Sequence, residues 1–161
     1  MIETARLAGT YTAQAICSIS KENSLEPILA YRKSGRTGEA PLDDNDNTIV
    51  VQEARARLEV NVLEASGAVL LYEGRIPLDR EKIDAVIIEM YAYENEEKKA
   101  AIALPYRPKS GGGFRIHKPK IVVWENCTSD EIEPVMDAFF DGASAHPEGA
   151  AIWNDALDDS L

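Results

Sequence analysis

Cysteine and histidine are scarce in this chain, with two of each among 161 residues, and that scarcity closes off several chemistries. Cys17 and Cys127 stand far apart in the sequence, and two cysteines cannot frame a domain of this length with disulfides. Both are read as reduced, half-buried thiols. A reactive thiol would want a histidine or a cation for a neighbour, and neither stands beside them. His117 and His146 are too few for a histidine-rich metal site. The acidic run Asp43-Asp44-Asn45-Asp46-Asn47 lacks the alternating grammar of a calcium loop and at most would hold a cation weakly. No metal and no cofactor are expected.

Long apolar runs are missing too. Nothing approaches the roughly 18 residues that a membrane-crossing helix needs. Met1 to Ser20 has neither a basic start nor an unbroken apolar stretch, which excludes an ordinary secretory signal. The expectation is a cytoplasmic protein without a membrane partner. At 45% apolar and 28% charged residues, the chain suits one globular domain over residues 1–161, fraying only at 158–161.

The most telling absence is of positive charge. No Lys or Arg follows Lys120, whereas ten acids do: Glu125, Asp130, Glu131, Glu133, Asp137, Asp141, Glu148, Asp155, Asp158 and Asp159. All 17 basic residues lie earlier, facing the other 18 acids. A near-neutral body therefore carries a strongly acidic end, which favours solubility or a basic partner surface. Only residues 98–120 are locally basic, too little for a phosphate-binding stripe, so nucleic acid is not expected.

Patterning predicts an α+β fold, mainly antiparallel. Glu3 to Tyr11 is a short helix candidate. Ala13–Ser20 and Leu25–Arg32 read as a hairpin joined by Lys21-Glu22-Asn23-Ser24. A loop rich in Gly, Pro, Asp and Asn over 33–47 leads into a helix over Thr48–Ala65, stopped by Gly67. Four strand candidates follow as a meander: Ala68–Ile76, Asp84–Tyr93, Lys99–Tyr106 and Phe114–Trp124. Their incomplete alternation requires at least one well-covered face. Two or three helices supply the cover. One starts at a capping box, Thr128 to Glu131, and carries Ile132, Val135, Met136, Phe139 and Phe140 at helical spacing to a stop at Gly142. The last spans Gly149–Leu157.

No catalytic motif stands out. The triple glycine Gly111-Gly112-Gly113, flanked by Arg107, Lys109 and Arg115, would let backbone N–H groups approach an anion, but a flexible tip with a basic edge explains it as well. His117 is the one histidine inside an expected strand, between Arg115 and Lys118, and imidazole is the side chain suited to acid–base work near neutrality. Glu89, between Ile88 and Met90, is the acid expected on a covered sheet face, with a raised pKa or a cross-strand partner in Arg75 or Arg115. Tyr72, Tyr91, Tyr93, Tyr106 and Trp124 would line a pocket if they share a face. Two functions follow. The first is a non-catalytic protein-binding or regulatory module that meets a basic partner through Asp130, Glu131, Glu133 and Asp137, with self-association compatible. The alternative is a small-ligand or enzymatic pocket between sheet and helices that uses Glu89, Tyr91, Arg107 and His117, with Tyr106 and Arg115 as further ligand-binding candidates.

Overall fold

A computed structural model describes residues 1–43 and 45–160. The order is α1 (Ile2–Ser20), β1 (Ile28–Lys33), β2 (Arg36–Ala40), α2 (Asn47–Glu59), β3 (Gly67–Leu78), β4 (Glu81–Ala92), β5 (Lys98–Arg107), β6 (Arg115–Ile116), β7 (Lys120–Glu125), α3 (Ile132–Ser144) and α4 (Pro147–Ala156). The strands form one antiparallel sheet in the order β2-β1-β3-β4-β5-β6, with β7 also paired to β5. The fold is α+β, as its patterning predicts. Among the described residues no helix is long and apolar enough to cross a membrane.

The first forty residues depart from the expected layout. α1 is one continuous helix, not a short helix followed by a strand. It stops where Glu22 takes a left-handed φ of 60°, with Asn23 N–H bonded to Ser18 O and Glu22 N–H to Ile19 O. That bond pair closes a helix C-terminus, so the connection 21–24 is a helix stop and not a hairpin turn. β1 pairs instead with β2 through Ser34-Gly35, both at positive φ (51° and 75°). Positive φ at both central residues is the geometry whose twist matches a two-residue hairpin. β2 therefore occupies part of the stretch expected to be loop. α2 ends earlier than expected, at Glu59, because Asn61 adopts φ 49° while Val62 N–H bonds Arg57 O. Asparagine tolerates that conformation, and Gly67 instead begins β3.

The meander is present with longer strands. β3 and β4 run in register from Gly67↔Ala92 to Leu78↔Glu81 around the two-residue turn Asp79-Arg80. β3 runs past the expected end at Ile76, through Pro77 to Leu78. The expected strand Phe114–Trp124 is two strands: the chain breaks at 117–119, and β6 and β7 pair with opposite ends of β5.

Both sheet faces are covered where the alternation fails. Val69, Leu71, Val86, Ile88 and Met90 turn toward α1 and join a core that includes Val135, Phe139 and Trp153. Ala68, Leu70 and Tyr91 turn the other way, to Val51, Ala54 and Leu58 of α2. Beyond the helices, β3 reverts to alternate burial from Tyr72 to Leu78.

α1 lies between the sheet and the α3–α4 pair, which demands very close backbone approach. A Cβ on Gly9 would come to 1.8 Å from Phe139 O, one on Gly142 to 1.9 Å from Arg6 O, and one on Gly149 to 2.2 Å from Ala13 O. Thr10 Oγ1 donates to Gly142 O at 2.9 Å across the same crossing. Gly142 is thus inside α3 as a contact residue, and the helix runs on to Ser144. Since each added methyl would meet backbone rather than a flexible side chain, Gly9→Ala and Gly142→Ala should each lower stability by roughly 2–4 kcal/mol in urea titrations. A loss below about 0.5 kcal/mol would show that the helices separate without penalty.

Candidate functional site

Glu89 sits on β4, facing α2, and is 5% exposed. Arg55 reaches it from α2: Nε donates to Oε1 at 3.0 Å and Nη2 to Oε2 at 2.6 Å. The Tyr72 hydroxyl donates to Oε2 at 2.7 Å and the Tyr91 hydroxyl to Oε1 at 2.9 Å. Burial by itself raises a carboxyl pKa, but the hydrogen bonds from Arg55, Tyr72 and Tyr91 outweigh it and hold Glu89 below its ordinary value. The raised pKa expected for Glu89 is thereby corrected. The partner also differs: Arg75 pairs with Asp84 at 3.3 Å, and Arg115 donates to Phe114 O. Burial and the adjacent carboxylate push the Tyr72 phenol up to about 12 and raise Tyr91 as well.

Two further polar ties join α2 to the sheet beside the apolar contacts of Val51, Ala54 and Leu58. Tyr93 donates to Leu58 O at 2.7 Å, and Lys99 meets Glu59 at 3.1 Å. With four donors on two oxygens, Glu89 has no lone pair placed for a substrate proton. The cluster acts as a clasp holding α2 to the sheet, and Arg55 and Tyr72 are its members that the sequence reading did not assign to Glu89. Arg55 lies on the helical stripe that carries Val51 and Leu58, and a cation on an apolar stripe is the signal of an internal partner.

The other candidates lie apart from Glu89. Glu89 is opposite Ala101 on β5, and Arg107 is six residues further along that strand, roughly 20 Å away. Arg107 donates from Nε to Gly113 O at 2.8 Å and from Nη2 to Gly112 O at 3.2 Å. The glycine tip thus turns carbonyls toward its nearest cation, the opposite of an anion cradle. Tyr106 is in the core on the α1 side, with Phe114 at 6.2 Å between ring centroids. Arg115 is exposed. His117 is buried; its backbone N–H donates to Pro105 O, and its Nδ1 has no partner among the described residues. Cys17 and Cys127 are free, partly buried thiols whose pKa values burial raises. Among the described residues no group of three or more His, Cys, Asp or Glu side chains is placed to hold a metal ion. Asp44, part of the acidic run 43–47, lies outside the described residues.

The acidic end forms a second candidate region. Glu131 is used internally: one oxygen takes the Thr128 N–H at 2.7 Å, as the capping box predicts, and the other pairs with Lys98. Glu148 meets Lys21 at 3.3 Å on the surface. The other eight late acids have no ion pair among the described residues. Between α3, α4 and Lys118-Pro119 runs a groove of about 360 Å³, lined chiefly by Phe140, Ala143, Trp153 and Leu157. Phe140 and Leu157 are 42% and 49% exposed. Glu133 and Asp137 precede Phe140 at helical spacing, so they lead into the groove along one face of α3. No protein-family model, curated protein or solved structure matches this chain.

The lowered pKa of Glu89 sets a direction for acid unfolding. Its ionised form contributes stability above the ordinary carboxyl value and loses it as pH falls through the lower folded-state value. Glu89→Gln should cost about 2–4 kcal/mol at neutral pH, because it leaves the Arg55 charge half-covered and without its counter-ion. Denaturant titrations near pH 7 and near pH 3 check this: the gap between variant and wild type should shrink at the acid end.

Proposed function

We propose that the protein is a non-catalytic binding module whose α3–α4 face receives a basic, amphipathic segment of another protein. The observation that carries this reading is the coincidence of an exposed apolar groove with acids that the protein's own cations leave unpaired. The groove alone would favour any apolar surface. Added to it, the acids on α3 select a partner that carries Lys or Arg beside its apolar residues, and they act chiefly on association rate and specificity. Glu133, Asp137 and Asp130 are the charges assigned to that role. Glu131 is not, because Lys98 and the Thr128 cap already hold it. Leu157, Phe140 and Trp153 supply the apolar floor.

Trp153 reports on groove filling once Trp124, the other tryptophan, is replaced by Phe. Titration with a synthetic helical peptide bearing leucine on one face and lysine on the other should produce a saturable shift in Trp153 emission. The affinity should fall steeply between about 50 mM and about 500 mM salt. Glu133→Lys with Asp137→Lys should weaken binding roughly tenfold, and Leu157→Asp should do likewise without touching a charge pair. An unresponsive Trp153, or equal binding by either variant, would overturn the reading.

A further inference from the structure

Beside the N-terminal half of α2, at the edge of β3 beyond its pairing with β1, lies a separate cavity of about 260 Å³. Its apolar wall includes Leu25, Pro27 and Val51, and Asn47, Thr48 and Tyr72 join Gln52, Arg55 and Glu73 on its polar side. The polar groups are incompletely used. Arg55 spends Nε and Nη2 on Glu89 and Tyr72, and its Nη1 has no hydrogen bond among the described residues. Glu73 is exposed; it accepts the Leu25 N–H on Oε1 at 3.0 Å, and its Oε2 accepts nothing among the described residues. The Gln52 amide, also exposed, has no hydrogen bond among the described residues. Arg55 and Glu73 line one space without pairing with each other.

The charge in this space selects the ligand. Arg55 is matched by Glu89, so Glu73 leaves the cavity with one uncompensated negative charge. A phosphate or a simple carboxylate would add to that excess. A monocation would cancel it, and a carbonyl near the cation would suit the free Arg55 Nη1. The volume lies just below the range of cofactor and drug sites, which fits a molecule of single-amino-acid size. We infer that this cavity binds a small α-ammonium compound with an adjacent carbonyl, placing the ammonium on Glu73, the carbonyl on Arg55 Nη1 and an aliphatic side chain against Leu25, Pro27 and Val51. A free amino-acid amide and the first residue of a peptide share this chemistry. The site is distinct from the α3–α4 groove and independent of what that groove binds.

Leucinamide is the probe, followed by calorimetry and by amide chemical shifts of the intact protein. It should bind saturably and shift the Leu25 and Gln52 resonances. N-acetyl-leucinamide, which keeps the carbonyl and side chain but lacks the charge, should bind at least about tenfold more weakly. Glu73→Gln keeps an oxygen for the Leu25 N–H, so the fold is preserved, and it should cost leucinamide about tenfold or more in affinity. A leucyl-alanyl-alanine amide that binds as well as leucinamide would assign the site to peptide N-termini, and one that fails would assign it to free small molecules. No saturable binding of leucinamide, equal binding of the acetylated compound, or an unaffected Glu73→Gln variant would overturn the inference.

Discussion

The architecture depends on one steric permission, the absence of a side chain at Gly9, Gly142 and Gly149. It lets α1 pack with backbone almost against backbone on α3 and α4, so that α1 becomes an internal layer with the sheet beneath it and two helices above. The gain is dispersion and apolar burial on both sides of a helix made largely of Ala, Thr, Ile and Leu. Thr4 and Thr12 are buried in it and bond to the Tyr91 and Ala8 carbonyls, so their hydroxyls cost little. The order of the other layers follows from that packing: α3 and α4 have their inner faces committed, and their outer faces carry the acids.

The two sides of the sheet are held by different forces. On the α1 side the cohesion is apolar and extensive. On the α2 side a smaller apolar cluster is supplemented by the Arg55–Glu89 clasp and by the Tyr93 and Lys99 ties, each crossing from helix to strand. A half-buried ion pair of this kind is weak as a source of net stability but strict about geometry, because a displaced Arg55 would leave the buried Glu89 carboxylate without its counter-ion. It therefore fixes where α2 sits. Two separate surfaces result, an acidic one on the outer helices and a mixed-charge cavity beside α2 at the edge of β3.

Much of this was legible in the sequence wherever a segment is covered on one side or announced by its own side chains. The α3 stripe and the Thr128–Glu131 capping box are examples, and so are the central strands, whose doubled apolar character in Val86–Ala92 records cover on both faces. Glu89 stood out as a covered acid for the same reason. α1 was illegible because burial on two sides erases the polar face that makes helical periodicity visible. Asn61 and Glu22 end helices by adopting a conformation more often given to glycine, so a search for glycine stops misplaces those ends. The Arg55–Glu89 partnership joins residues 34 positions apart, and no local pattern reports a contact of that span. The separation of the candidate residues along β5 follows from strand register, which depends on turns such as Asp79-Arg80 more than on residue type.

The burial of α1 also bears on how the chain is made. Gly9 meets Phe139 and Ala143, so α1 has no lid until some 130 further residues have been synthesised. During that interval its apolar flanks are open to water, and the contacts that seal it are among the most distant in the chain. Long-range closure of this kind slows folding and lengthens exposure to aggregation. A nascent chain with this topology completes its core only once α3 and α4 have been made, and until then α1 is without the contacts that cover it.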